Sequence, residues 1–162
     1  MDNMEKIIKE LNWYYYGVMI LTLLILTLFY YAYTHAMYAP MDRFSTLGIV
    51  LQYVVIFLAL ITIPAGLYGF KYLCDKQIVS TLKTPEDLTP EKLELYKKLA
   101  IARILVVSCS MPFGIAFYYL FGCYQSMLWV AAIAAIGWYF TKPTLGKMQN
   151  ELTPKDPNQE NY

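Results

Sequence analysis

Apolar residues fall into four long blocks along this chain, at residues 13–38, 47–73, 99–122 and 125–141, and the polar stretches between them hold nearly every charge. A bilayer core about 30 Å thick needs roughly 20 apolar helical residues, because each residue rises only about 1.5 Å. Three blocks meet that length. The last block is at the short end of the range, where a helix crosses nearly upright or thins the bilayer around it. Its centre, from Met127 to Gly137, is free of charge, and Lys142-Pro143 gives it an abrupt polar end. The pattern predicts an all-α membrane protein with four transmembrane helices in two hairpins.

The outer turns of these hairpins are very short, and a cytoplasmic connector at residues 75–98 joins the pairs. Within it Thr84-Pro85-Glu86-Asp87 and Thr89-Pro90-Glu91-Lys92 are near copies, each a helix-start signal of N-cap Thr, Pro at the first helical position and acid in the first turn. The second is expected to open a helix that runs unbroken through Leu93, Tyr96 and Leu99 into the third span. Residues 1–149 then form the four-helix domain. Residues 150–162, polar and carrying Pro154 and Pro157, read as a disordered cytoplasmic tail.

Charge orients this arrangement. Of the 13 Lys and Arg, Arg43 alone lies beside the outer ends of the blocks, while all the others lie beside the opposite ends. Lys and Arg near span ends are held on the cytoplasmic side during insertion, so both termini are expected to be cytoplasmic. The aromatic belt agrees. Trp13, Tyr14, Tyr15, Tyr16, Tyr68, Tyr72, Tyr96, Trp138 and Tyr139 mark one headgroup level, and Tyr30, Tyr31, Tyr33, Tyr38, Tyr53, Tyr118, Tyr119, Tyr124 and Trp129 the other. The first block reads as a span, because the apolar run from Val18 to Ala32 leads into more aromatics instead of a small-residue cleavage site. These signals suit a multi-pass protein of a bacterial cytoplasmic (inner) membrane. The net charge of +1 gives no basis for nucleic-acid binding.

Candidate chemistry is sparse. No Asp or Glu lies inside any block, so a carrier that works through one buried carboxylate has no candidate residue. His35 is the lone histidine, and Cys74, Cys109 and Cys123 form no CxxC, so no metal or haem site is expected and the thiols read as small apolar fillers. There is no Gly-rich phosphate loop and no nucleophile elbow. Neither a catalytic role nor a cofactor is expected.

A few polar and irregular positions stand out. Arg103, about one turn inside the third span, can snorkel to the interface, and with Lys97 and Lys98 it forms a candidate site for an anionic lipid headgroup. His35 and Gln52 stand at similar depth in an antiparallel hairpin and are expected to form an intramembrane hydrogen bond. Pro64 with Gly66, and Pro112 with Gly114, mark helix breaks, the second with Ser108 and Ser110 placed to satisfy freed carbonyls. Ala131, Ala134 and Ala135 form a small-residue face on the fourth span that packs closely on another helix.

Three functions fit this inventory, the last of them a lipid-binding or membrane-shaping role. The first is a non-enzymatic accessory or scaffold subunit packed against a larger membrane complex. The alternative is a minimal channel or carrier for an uncharged or lipid-like solute, built as a homo-oligomer in the lipid bilayer. A pore would be lined by Thr22, Thr27, Gln52, Ser108 and Ser110, whereas in an accessory subunit these groups would satisfy one another or the helix backbones.

Overall fold

The computed structural model describes residues 2–82 and 88–153. Six α-helices account for nearly all of them: α1 (Asp2–Thr34), α2 (Thr46–Gln77), α3 (Pro90–Ser108), α4 (Ser110–Leu120), α5 (Gln125–Phe140) and α6 (Leu145–Leu152), with a 3-10 turn at Val79–Thr81. Asn3–Thr34, Thr46–Thr81 and the α3–α4 rod, Pro90–Leu120, are long and apolar enough to cross a membrane. The chain is therefore an all-helical membrane protein. Gln125–Phe140 is apolar but shorter, as the sequence implies.

Helix ends follow local chemistry. Thr89 precedes α3 in extended conformation, Pro90 takes its first turn and Glu91 places acid there, as expected, although the Thr89 side chain makes no capping bond. The first copy of this motif lies outside the described residues. Ser45 caps α2, its Oγ accepting from the Gly48 amide at 3.0 Å. The first helix stops at Thr34, short of the expected residue 38, and Ala36 turns the chain with φ at 49°. The second outer turn uses left-handed backbone at Gly122 (φ 65°) and Cys123 (φ 64°). Met41 donates its amide to the Leu120 carbonyl at 2.8 Å, which ties the two outer turns together.

The expected pair of hairpins is only half realised. The second, α4 with α5, packs closely, but α1 packs on α3 and α4 while α2 packs on α3, α4 and α5. The α3–α4 rod is the shared neighbour, and no principal packing joins α1 to α2. Sequence adjacency favours hairpin pairing as a default, but side-chain fit decides it here. The resulting burial is uneven: 6% of the most apolar stretch of α1 is buried, against 44% for the rod.

Small residues set the close approaches. A Cβ on Gly114 would lie 2.7 Å from the Ala131 amide nitrogen, and one on Gly66 would lie 2.3 Å from Val107 Cγ2, so α4 meets α5 and α2 meets α3 at these glycines. Ala131, Ala134 and Gly137 are the buried stripe of α5; Ala135 is only half-buried. The small-residue face is thus filled by helices of the same chain.

The break near Pro112 falls at Cys109, where α3 ends and α4 begins. Pro112 has no N–H for the Ser108 carbonyl, and its ring crowds that oxygen. Ser108 Oγ turns back to the Ile104 carbonyl at 2.6 Å, and Ser110 Oγ bonds Thr62 Oγ1 on α2 at 2.7 Å, so Ser110 links helices instead of satisfying a carbonyl freed by the kink. Around Pro64, by contrast, α2 continues without interruption.

Two buried clusters sit at opposite ends of the bundle. One, at the outer turns, gathers Val55, Ala59, Phe121, Met127 and Val130. The other is a cap built from the first turns of α1, the last turns of α2, the start of α3 and α6, with Leu11, Ile78, Tyr96, Ala100 and Met148 fully or almost fully buried. Stacking of Tyr15 on Trp138, 4.2 Å between ring centroids, closes α1 onto α5 just beside the cap.

Replacing Gly114 with Val is expected to lower stability by about 1–3 kcal/mol, because a backbone atom faces the new side chain and cannot rotate away. Gly69, where a Cβ meets nothing within 4 Å, is the control. Gly69→Ala should leave stability unchanged or raise it by up to about 1 kcal/mol. Thermal unfolding of the purified variants in one detergent measures both.

Candidate functional site

Polar chemistry concentrates in the cap, and it is organised by α6. Leu145, Met148 and Leu152 recur at helical spacing, and Thr144 starts the helix with its Oγ accepting from the Lys147 amide at 3.4 Å. Met148 and Leu152 are buried in the cap cluster. Asn150, Glu151 and Leu152, assigned by sequence to the polar tail, instead form the last turn of this helix. The tail boundary therefore moves to Thr153 or beyond, and residues from 154 lie outside the described set.

This fold-back delivers Glu151 to Arg103. Arg103 Nη1 donates to Glu151 Oε1 at 2.7 Å, and Tyr96 Oη donates to Oε2 at 2.6 Å. The guanidinium also lies over the Phe70 ring, 3.8 Å from its centroid, and Tyr96 meets the same ring edge-on at 5.8 Å. Arg103 is 5% exposed, so it does not snorkel to the interface. The reason is geometric: α6 brings a carboxylate to the charge, and an internal partner replaces the headgroup.

Lys97 and Lys98 do not join Arg103. Lys97 pairs with Glu10 on α1 at 2.9 Å and with Glu94 on its own helix at 3.2 Å. Its charge staples α1 to α3. Lys98 is exposed on another face, beside Glu91 and Glu94. The three-residue headgroup site expected from sequence is not assembled.

The other intramembrane pair is also absent. Gln52 Nε2 donates to the Arg43 carbonyl at 2.9 Å, and His35 Nδ1 lies 3.0 Å from the Tyr31 carbonyl of its own helix. Each side chain is satisfied locally. With α1 and α2 both leaning on the α3–α4 rod, similar depth did not become contact.

A cavity of about 570 Å³ opens beside the Arg103–Glu151 pair, between α2, α3, the end of α5 and α6. Leu67, Phe70 and Phe140 form apolar wall; Arg103, Lys147 and Lys71 bring positive charge, and Glu151 and Asp75 bring negative charge. Lys147 Nζ donates to the Phe140 carbonyl at the C-terminus of α5, a favourable place for a cation. Burial, and next the charge of Arg103, hold the Lys147 ammonium below the usual lysine range, with Glu151 partly offsetting them. Glu151, Lys147 and Lys71 were missed as site residues. The readable signal for the first two was the spacing of Leu145, Met148 and Leu152, which marks an amphipathic helix where a tail was expected.

No protein-family profile, curated protein or solved structure matches this chain significantly.

Glu151→Ala is expected to cost about 3–5 kcal/mol, because it strands the buried Arg103 charge and unpairs Tyr96. The double substitution Arg103→Met with Glu151→Leu should recover most of that loss. Denaturation of the purified proteins in mixed detergent micelles compares them. Equal stability of Glu151→Ala and wild type would show that the pair contributes nothing.

Proposed function

We propose that this protein is a non-catalytic accessory or scaffold subunit of a larger membrane complex, crossing the bilayer four times and docking through α1. One observation carries the reading: α1 is a 33-residue helix that its own chain barely covers. A groove of about 310 Å³ runs along it, lined by Trp13, Tyr14, Gly17, Val18, Leu21 and Leu105 of α3. A Cβ on Gly17 would meet nothing within 4 Å, so packing inside this chain does not call for glycine. Glycine in a helix interior costs about 1 kcal/mol relative to alanine, and the compensation in lipid is the close approach of another helix.

The channel or carrier alternative needs polar side chains free to line a path. Thr22 Oγ1 bonds the Val18 carbonyl at 2.8 Å and Thr27 Oγ1 the Leu24 carbonyl at 2.9 Å, each within its own helix. Ser108 bonds backbone, Ser110 bonds Thr62, and Gln52 bonds the Arg43 carbonyl. This pattern of internal satisfaction supports the accessory reading over the pore. In that reading the cap is the cytoplasmic face and the linked outer turns leave little mass on the far side.

Extraction from native membranes in mild detergent should give a stable assembly that contains other subunits. Gly17→Leu should release the chain from it while leaving the thermal midpoint of the isolated protein unchanged. An assembly that survives Gly17→Leu would overturn docking through α1, and a homo-oligomer alone would favour the channel. Single cysteines at Thr22, Thr27 and Ser110 should resist membrane-impermeant thiol reagents from both sides.

A further inference from the structure

The cap cavity is lined by three cations, Arg103, Lys147 and Lys71, and by two carboxylates, Glu151 and Asp75. Each Glu151 oxygen accepts one bond, Oε1 from Arg103 and Oε2 from Tyr96, and among the described residues no ion pair joins Glu151 to Lys147. Lys147 faces the cavity with the neutral Phe140 carbonyl as its hydrogen-bond acceptor. Arg103, which lines the same cavity, leaves its Nε–H buried and without a hydrogen-bond partner among the described residues. A buried donor without an acceptor is costly, and the Arg103 charge nearby disfavours the Lys147 ammonium. An anion in the cavity beside Lys147 would offset the excess of three cations over two carboxylates. Lys71, exposed on α2 at the cavity edge, adds a third positive group.

The walls indicate what carries the anion. Leu67 and Phe140 belong to spans whose outer surfaces are apolar, and the cavity lies where those spans meet the polar cap. A ligand there has its charge among Arg103, Lys147 and Lys71 and its remainder against hydrocarbon-like surface. We propose that the cavity binds a phosphate group carried by an anionic membrane phospholipid, with Arg103 and Lys147 as its anion ligands and Lys71 at its mouth. Arginine and lysine both suit phosphate, the first as a planar fork and the second as a point charge. This site uses one of the three cations that the sequence suggested for headgroup binding and replaces the other two. It does not depend on the accessory reading, because a lipid can occupy it in a free subunit, a channel or a complex.

The test uses the purified full chain, stripped of lipid in detergent and then given phosphatidylglycerol or phosphatidylcholine at equal mole fraction. Bound lipid is counted by native mass spectrometry and protection is read from the thermal midpoint. Phosphatidylglycerol should be retained in preference to phosphatidylcholine. Lys147→Gln, which leaves the Arg103–Glu151 pair intact, should reduce that retention about tenfold, the worth of one charge-assisted hydrogen bond. Lys147→Arg should restore it, and Lys98→Gln on the other face should not change it. Unchanged thermal midpoints in phosphatidylcholine would show that these variants remain folded. Inorganic phosphate and glycerol phosphate distinguish the sources: protection by phosphatidylglycerol but not by either free anion supports the lipid. Equal protection by the free anions, lost in Lys147→Gln, would keep the phosphate site but overturn the lipid as its carrier. Equal retention of the two lipids, or unaltered phosphatidylglycerol binding by Lys147→Gln, would overturn the site.

Discussion

A guanidinium placed inside a membrane-spanning rod must find a partner, and much of the cap follows from that requirement. Arg103 cannot lose its charge, and burying it unpaired would cost several kcal/mol. Its partner comes from the far end of the chain. The chain turns after Phe140, α6 folds back under the cap, and Glu151 closes on Arg103 while Tyr96 fills the second carboxylate oxygen. Phe70 supplies an aromatic face to the same cation. One charge thus joins α2, α3 and α6. The apolar side of α6, Met148 and Leu152, seals the arrangement into a core that resembles a small soluble domain more than a membrane interior.

The two ends of the molecule are held by different physics. At the cap, hydrophobic burial can act because water surrounds the polar surface, and ion pairs such as Lys97 with Glu10 add local staples. Between the ends, lipid is as apolar as the side chains, so packing depends on close backbone approach, and Gly66, Gly114, Ala131 and Gly137 provide it. At the outer turns, short hydrogen-bonded loops tie α4 to the segment before α2. What is least buried is α1, fixed at its cap end by Leu11, Lys97 and Tyr15 and touching α4 near its other end through Tyr30 and Tyr33 against Tyr119. A helix held in this way presents its apolar length to whatever surrounds it, and in a membrane that is lipid or another subunit.

The functional reading follows from where polar groups find partners. Thr22, Gln52, Ser108 and Ser110 find their partners within the chain, which supports the proposed packed subunit. The cap differs. There three cations and two carboxylates line one cavity, which is the basis of the proposed anion site at that end of the spans.

The hydrophobic blocks and their lengths were decided by the sequence alone, because crossing a bilayer imposes a one-dimensional requirement on about 20 consecutive residues. Charge placement sets an expected orientation in the same way, residue by residue. The start of α3 at Thr89-Pro90-Glu91 and the small-residue stripe at Ala131 and Ala134 were legible for similar reasons, since capping and close packing use local residue types. Partnership was not legible. Which helix lies beside which depends on the fit of whole surfaces, so α1 and α2 separated onto the α3–α4 rod, His35 and Gln52 never met, and Lys97 turned to Glu10. Glu151 looked like tail because its eight-residue helix is too short to stand on its own, and only the cap against which it packs makes it a helix. The tertiary structure thereby decided the fate of Arg103: a charge that the sequence left to reach for headgroups found a carboxylate brought from nearly fifty residues away.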